Sequence, residues 1–448
     1  MNECLHVLRQ NWSRSRVFRV ILVIAVIYAG LRLTVQVIYL GTLLAPENLP
    51  EWFGAEEPMI PNDLQDYLDG ANRLQNRQDL YVKGKLDRVE FYQYSPVYAL
   101  VFAPFLWLPP SLVAIIHTLL HIIAYWMLYI WWGRIFRRLG LDQANETLAW
   151  TLPVWLVFSA FWSDLGYLNI YIIMALLGTL LIDAVLNERL GWSLLWLSII
   201  VQIKPQWAFA AVVPLFLGRW RFFLKLLIFA VIVYVAIVGI TMLAVGPSYG
   251  WQQYVDYVQF LFNMPKNFPW RGPDAPFLGY NHSIMQIVIY ILGFGPNTMR
   301  LAIGIKALLL APLAILGLRL FIRPLRQPGH RVPQSGLDLA FALYLGAFIW
   351  LDVVWEVSLG IAVFTYLLAT LEQRNAKILV WSIFLPYALV DFWQLVSYVV
   401  FGADVVAPGM YVLTDPSIYL PLVMIVILTF YALLIRRLWS TTPMHSSI

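Results

Sequence analysis

The chain has 448 residues, of which 61% are apolar and only 12% are Asp, Glu, Lys or Arg, whereas an average soluble domain is roughly 25% charged. Together with a mean hydropathy of +0.72 and a net charge of only +5, this excludes a soluble enzyme and a basic nucleic-acid-binding domain, and indicates an all-α polytopic membrane protein. The single cysteine, Cys4, supplies neither a disulfide framework nor a cysteine-built metal site.

Residues 1–19 are polar and basic. The apolar run from Val20 to Ala45 is too long for a signal-peptide core and reads as a signal-anchor first helix. Further apolar runs fall at 96–108, 111–133, 147–163, 169–186, 192–217, 225–245, 283–295, 299–322, 337–351, 354–370, 377–400 and 417–437. At roughly 20 residues per crossing, they predict one integral membrane domain over 1–448 with about 12 transmembrane helices. Residues 96–133 form either two crossings or one broken crossing. The second reading requires the run 192–217 to split at Lys204-Pro205.

Basic clusters at Arg9–Arg19, Arg219–Lys225, Arg319–Arg331 and Arg436–Arg437 mark the cytoplasmic side. The polar stretches 45–95 and 246–282 then lie outside. Parity requires that 283–295 not cross alone. It is short and ends in Gly293-Phe294-Gly295-Pro296, which suits a re-entrant or surface helix.

The outer loop 45–95 carries ten acidic and five basic residues. Within it Leu64, Tyr67, Leu68, Ala71 and Leu74 share one helical face. Pro61-Asn62-Asp63 opens that helix, which is expected to lie on the membrane surface with its apolar face in lipid. Asp63 then stands between lipid and water, where a carboxylate can deprotonate the acceptor of a sugar carried on a lipid phosphate. Two plainer readings stand beside this one. Either Asp63 or Asn62 caps the helix, and Asp66 and Asp69 form a solvated face.

Tyr92-Gln93-Tyr94-Ser95-Pro96 reads either as an interfacial aromatic belt or as the wall of a sugar site built on Tyr94. Charge at bilayer depth is costly, so Lys204 is a candidate ligand for a lipid phosphate. Its alternatives are snorkelling or a pair with a carboxylate such as Asp164. Asn169 stands beside Gly166 in a turn between two apolar runs, and Arg32 in the first run needs an acidic partner. Asp352 and Glu356 bracket Trp355 at an outer junction; a turn explains Asp352 but not Glu356. The second outer loop ends in Gly279-Tyr280-Asn281-His282-Ser283 and reads as a cover for a sugar site or as a connector. His282 has no identifiable partner for a metal site.

The order of these features resembles bacterial glycosyltransferase family 87 of the GT-C superfamily, polyprenyl-phosphate-mannose-dependent α-mannosyltransferases and their relatives. The matching stretches are Asp63-Leu64-Gln65-Asp66-Tyr67, Leu74 to Leu80-Tyr81, Tyr92-Gln93-Tyr94-Ser95-Pro96, Gly166-Tyr167-Leu168-Asn169, Lys204-Pro205 and Trp355. Ser95 replaces the family's first proline of Tyr-x-Tyr-Pro-Pro, Tyr167 replaces a glutamine, and no histidine follows Trp355, so mannose is not assumed. The resemblance implies a GT-C bundle with Asp63 as catalytic base. It further implies inverting transfer of a hexose from a polyprenyl-phosphate donor to a lipid-linked or glycan acceptor. The active site would face outward from a bacterial inner membrane and need no metal or other cofactor; Lys204, Asn169, Glu356, His282 and Tyr94 would bind substrate. A transporter or flippase is the alternative. It accounts for an intramembrane lysine and broken helices, but not for an acidic outer loop with its own helix.

Overall fold

The computed structural model describes residues 2–45, 60–81, 92–141, 143–268, 270, 281–325, 334–401 and 416–441. Every regular element among them is helical. The first third of the chain forms α1 (Asn2–Arg14), α2 (Arg16–Leu44), α3 (Asn62–Gln75), α4 (Pro96–Phe102), a 3₁₀ turn over Ala103–Trp107, and α5 (Pro110–Arg138). The middle contains α6 (Ala144–Val157), α7 (Ser159–Tyr167), α8 (Tyr171–Leu186), α9 (Leu190–Ile203), a 3₁₀ helix over Pro205–Val212, and α10 (Val213–Phe216). It continues through α11 (Trp220–Val245), α12 (Pro247–Asn267), α13 (Ile284–Leu292) and α14 (Pro296–Ile322). The last third forms α15 (Gln334–Trp350), α16 (Gly360–Thr370), α17 (Arg374–Ala388), α18 (Val390–Phe401) and α19 (Pro416–Thr441).

The chain is a membrane protein. Among the described residues six spans are long and apolar enough to cross a bilayer: α2, α5, the consecutive pair α6–α7, α11, α14 and α19. The pair α17–α18, bent by 48°, makes up to seven. About twelve full crossings are therefore not established. Five of the remaining apolar segments are helices of only 10–17 residues. The sequence period marks an apolar helix, but the chain breaks several of them with proline or irregular backbone.

Helices α2, α11 and α14 expose most of their apolar side chains, as lipid-facing helices do. The packed centre lies instead among α5, α6, α8, α15, α16 and α19, where Trp132, Trp155, Phe341, Tyr344 and Tyr366 are fully buried. Residues 96–107 are a short helix and a 3₁₀ turn, whereas Pro110–Arg138 is a complete span. The run 192–217 does break at Lys204-Pro205. Helix α13 has nine residues, about 14 Å at 1.5 Å per residue, too short to span a membrane. Part of the second outer stretch is the helix α12; residues 271–280 of it, like 46–59 and 82–91 of the first, lie outside the described residues.

The helix expected in the first outer stretch is α3, and its buried residues include Leu64, Tyr67, Leu68, Ala71 and Leu74. That face does not meet lipid, because it packs on α4, the following 3₁₀ turn and α7. The capping residue is Pro61, with no side-chain cap bond, so neither Asn62 nor Asp63 is the cap. Asp63 sits in the first turn, where a negative charge favours the helix dipole.

Candidate active site

The site begins with a tyrosine cluster under α3. The Tyr67 hydroxyl lies 3.2 Å from that of Tyr94 and donates to Asn169 Oδ1 at 3.3 Å. The Tyr94 and Tyr98 rings stack at 4.7 Å, and the Tyr67 ring meets both edge-on. The Tyr81 hydroxyl donates to the Tyr94 carbonyl at 2.6 Å. These rings are buried in the protein, so Tyr94 belongs to a packed wall and not to an interfacial belt.

Ser95 ties this wall to the break in the apolar run 192–217. Its hydroxyl donates to the carbonyl of Gln202, in the last turn of α9, where carbonyls lack helical partners. Lys204 follows. Its side chain is 4% exposed. The ammonium lies 4.9 Å from the centre of the Tyr94 ring and 4.4 Å from that of Tyr171, within cation–π range. It donates to the Tyr171 hydroxyl at 3.4 Å. Among the described residues it makes no salt bridge; Asp164 pairs with His121 instead, at 3.2 Å. Asp63 and Asp164 are the carboxylates whose charge acts on Lys204, and Asp63 acts also on Tyr94, Tyr98 and Tyr171.

Lys204 and Tyr171 line a cavity of about 190 Å³, together with Gln93, Gln206, Tyr257 and Asp352. The lining residues Trp350, Leu351 and Asp352 are held by Lys306 of α14. Its ammonium donates to the carbonyls of Trp350 at 2.9 Å and Leu351 at 3.2 Å and pairs with Asp352 at 2.5 Å. The cavity thus presents a buried cation that forms no salt bridge among the described residues and a carboxylate already paired with Lys306. Such a lining suits an anion attached to a larger polar group.

The profile of glycosyltransferase family 87 matches residues 92–333, more than half of the chain. The chain belongs to glycosyltransferase family 87. No curated protein matches it. The matched span contains Tyr94, Asn169, Lys204 and His282 of this glycosyltransferase, whereas Asp63 and Glu356 lie outside it.

The other candidate residues of the glycosyltransferase divide into two groups. Asn169 belongs to the cluster, since its Oδ1 accepts from Tyr67 and from the amide of Ile170 at 2.7 Å. Glu356 stands in the irregular segment 351–359, where Oε2 accepts from the Tyr387 hydroxyl at 2.9 Å; its charge reaches Tyr171, but it does not line the cavity. His282 is fully buried with its ring edge-on to Tyr419 at 4.7 Å. Its amide donates to the Val354 carbonyl at 2.7 Å, so its segment is tied to the stretch that carries the lining residues Asp352 and Val353. Arg32 pairs with Asp391, at 2.8 and 3.1 Å, and with none of the acids considered from the sequence. Asp352 was read there as a turn residue and Gln93 only as part of the Tyr92–Pro96 stretch, while Tyr171 and Lys306 were not singled out. Lys306 had a usable signal, an ionisable residue inside an apolar run; Tyr171 had none, being one of 24 tyrosines.

Proposed function

We propose that this glycosyltransferase moves a hexose from a polyprenyl-phosphate donor to a lipid-linked or glycan acceptor, with inversion, on the extracytoplasmic face of a bacterial inner membrane. The observation that carries the reading is the buried ammonium of Lys204 on the wall of the cavity, with Asp63 close enough to act on the same cluster. A buried cation that forms no direct salt bridge and is only partly offset by the charges of Asp63 and Asp164 is costly, and a carrier phosphate would offset the rest.

In the transfer, the acceptor oxygen attacks the anomeric carbon as its proton passes to the Asp63 carboxylate. The bond from that carbon to the phosphate oxygen breaks, and the polyprenyl phosphate leaves with the electron pair. One base suffices for inversion. Lys204 stabilises the charge that develops on the leaving phosphate. Tyr171 and Tyr257 on the cavity wall offer rings and hydroxyls to a sugar, while Tyr94, buried with Tyr67 and Tyr98, holds the ammonium of Lys204 against its ring.

Family membership favours this reading over a transporter. The purified protein, given a synthetic polyprenyl-phosphate hexose and a membrane glycolipid extract, is expected to release polyprenyl phosphate and glycosylated product in equal amounts. Transfer from a nucleotide sugar alone, or transport of the carrier without sugar transfer, would overturn the proposal.

A further inference from the structure

His121 is a buried group that the chemistry above does not use. It lies on α5 with its side chain fully enclosed. Both ring nitrogens face oxygens. Nδ1 lies 2.8 Å from the carbonyl of His117, one turn back on the same helix. Nε2 faces the Asn169 carbonyl and stands 3.2 Å from Asp164 Oδ2. Asp164 is itself 2% exposed. Its oxygens accept from the amides of Tyr171 at 3.1 Å and Ile172 at 2.9 Å, the first amides of α8. A buried carboxylate needs such partners.

Both side chains hold the turn between α7 and α8. The Asn169 amide donates to the Asp164 carbonyl at 3.0 Å. Leu168 stands in left-handed backbone, with φ 50°, a conformation that a non-glycine residue adopts at some cost and that surrounding contacts must enforce. From this turn two arms reach the site. The Asn169 side chain accepts from Tyr67 of α3, the helix that carries Asp63. Tyr171 meets the ammonium of Lys204. The His117 ring also packs edge-on to Tyr67 at 5.9 Å.

We infer that His121 is a positioning residue for the transfer: its Nε2 donor, shared by the Asn169 carbonyl and Asp164, holds the turn that sets Asn169 against α3 and Tyr171 against Lys204. The inference rests on the glycosyl-transfer reading for its consequence, and on the hydrogen bonds for its geometry.

The test uses two substitutions of similar size. His121→Gln can place an amide donor near the position of Nε2. His121→Asn places one near Nδ1 and leaves the Asn169 carbonyl and Asp164 without their donor. Each full-length protein is purified in lipid nanodiscs, and its turnover and amide hydrogen exchange are measured. His121→Asn is expected to exchange faster at 164–172 and to lose on the order of 10²-fold in kcat, the scale of a 1 Å misplacement. His121→Gln is expected to keep slow exchange there and to stay within about tenfold of wild-type turnover. Unchanged exchange at 164–172 in His121→Asn, or equal turnover of the two variants, overturns the assignment. If the wild-type protein transfers nothing from a polyprenyl-phosphate hexose, yet exchange still follows the Nε2 donor, the donor reading fails and His121 stands as the residue that holds the turn.

Discussion

The ammonium of Lys204 stands 4.4 Å from the centre of the Tyr171 ring and donates to that residue's hydroxyl at 3.4 Å. These contacts are weak for a buried cation, since ring contact and one long hydrogen bond replace only part of the hydration lost. Lys204 is held in place by a backbone break, and Tyr171 by the start of α8. The pair therefore presents its charge in a fixed position instead of snorkelling out.

Lys204→Met keeps the length of the side chain and removes its charge. A hydrogen bond to a charged group contributes about 1.5–3 kcal/mol, which corresponds to roughly 10- to 100-fold in affinity. The KM for a polyprenyl-phosphate hexose should rise by that factor, and high donor concentration should restore part of the turnover. A donor KM equal to that of the wild type would show that the cation does not meet the phosphate.

Asp63→Asn removes a base from the first turn of α3 while keeping the shape of the side chain. General-base catalysis contributes about 10²- to 10⁴-fold, so turnover should fall by at least 10²-fold with donor KM little changed. Asp66→Asn, one turn along the same helix, is the control and should cost far less. Turnover of Asp63→Asn above about a tenth of wild type, outside that expected loss, would move the search for a base to Glu356 and Asp66.

Ser95→Ala removes the hydroxyl that satisfies the Gln202 carbonyl. An unsatisfied buried acceptor costs about 1–3 kcal/mol, so the thermal midpoint in detergent should fall. Because the bond joins the Tyr94 wall to the turn holding Lys204, donor KM should rise with it. Loss of stability with unchanged KM would limit Ser95 to a structural role.

Gly70 faces the ring of Tyr92 so closely that an added Cβ would stand 2.5 Å from Tyr92 Cε2. Both residues are buried. Gly70→Ala is therefore expected to overpack the contact between α3 and the tyrosine wall, at about 1–3 kcal/mol. Thermal unfolding of the purified variant would read this as a lowered midpoint; an unchanged midpoint would mean that Tyr92 moves aside freely.

Topology is tested by labelling. With Cys4 replaced by serine, Asn76→Cys is exposed at the end of α3 and Arg323→Cys is exposed at the end of α14. An impermeant thiol reagent should label the first in cells with a permeabilised outer envelope, and the second only after the inner membrane is lysed. The reverse pattern would invert the side of the active site.

Much of the architecture was legible in one dimension because its causes are local. An apolar run long enough to cross a bilayer must form a helix to satisfy its backbone, and α2, α11 and α14 follow from that alone. The buried face of α3 is read from its 3.6-residue period, and the break at Lys204-Pro205 from a ring that cannot donate a hydrogen bond. What covers a face is a different matter. The period of α3 is the same whether its face meets lipid or α4, and only packing decided for α4. Partner choice was likewise settled in three dimensions. Arg32 met Asp391, 359 residues away, and Asp164 met His121 rather than Lys204. A costly buried charge dictates that a partner must exist; the tertiary fold, by bringing distant helices together, dictates which one, and so left Lys204 as the cation facing the cavity.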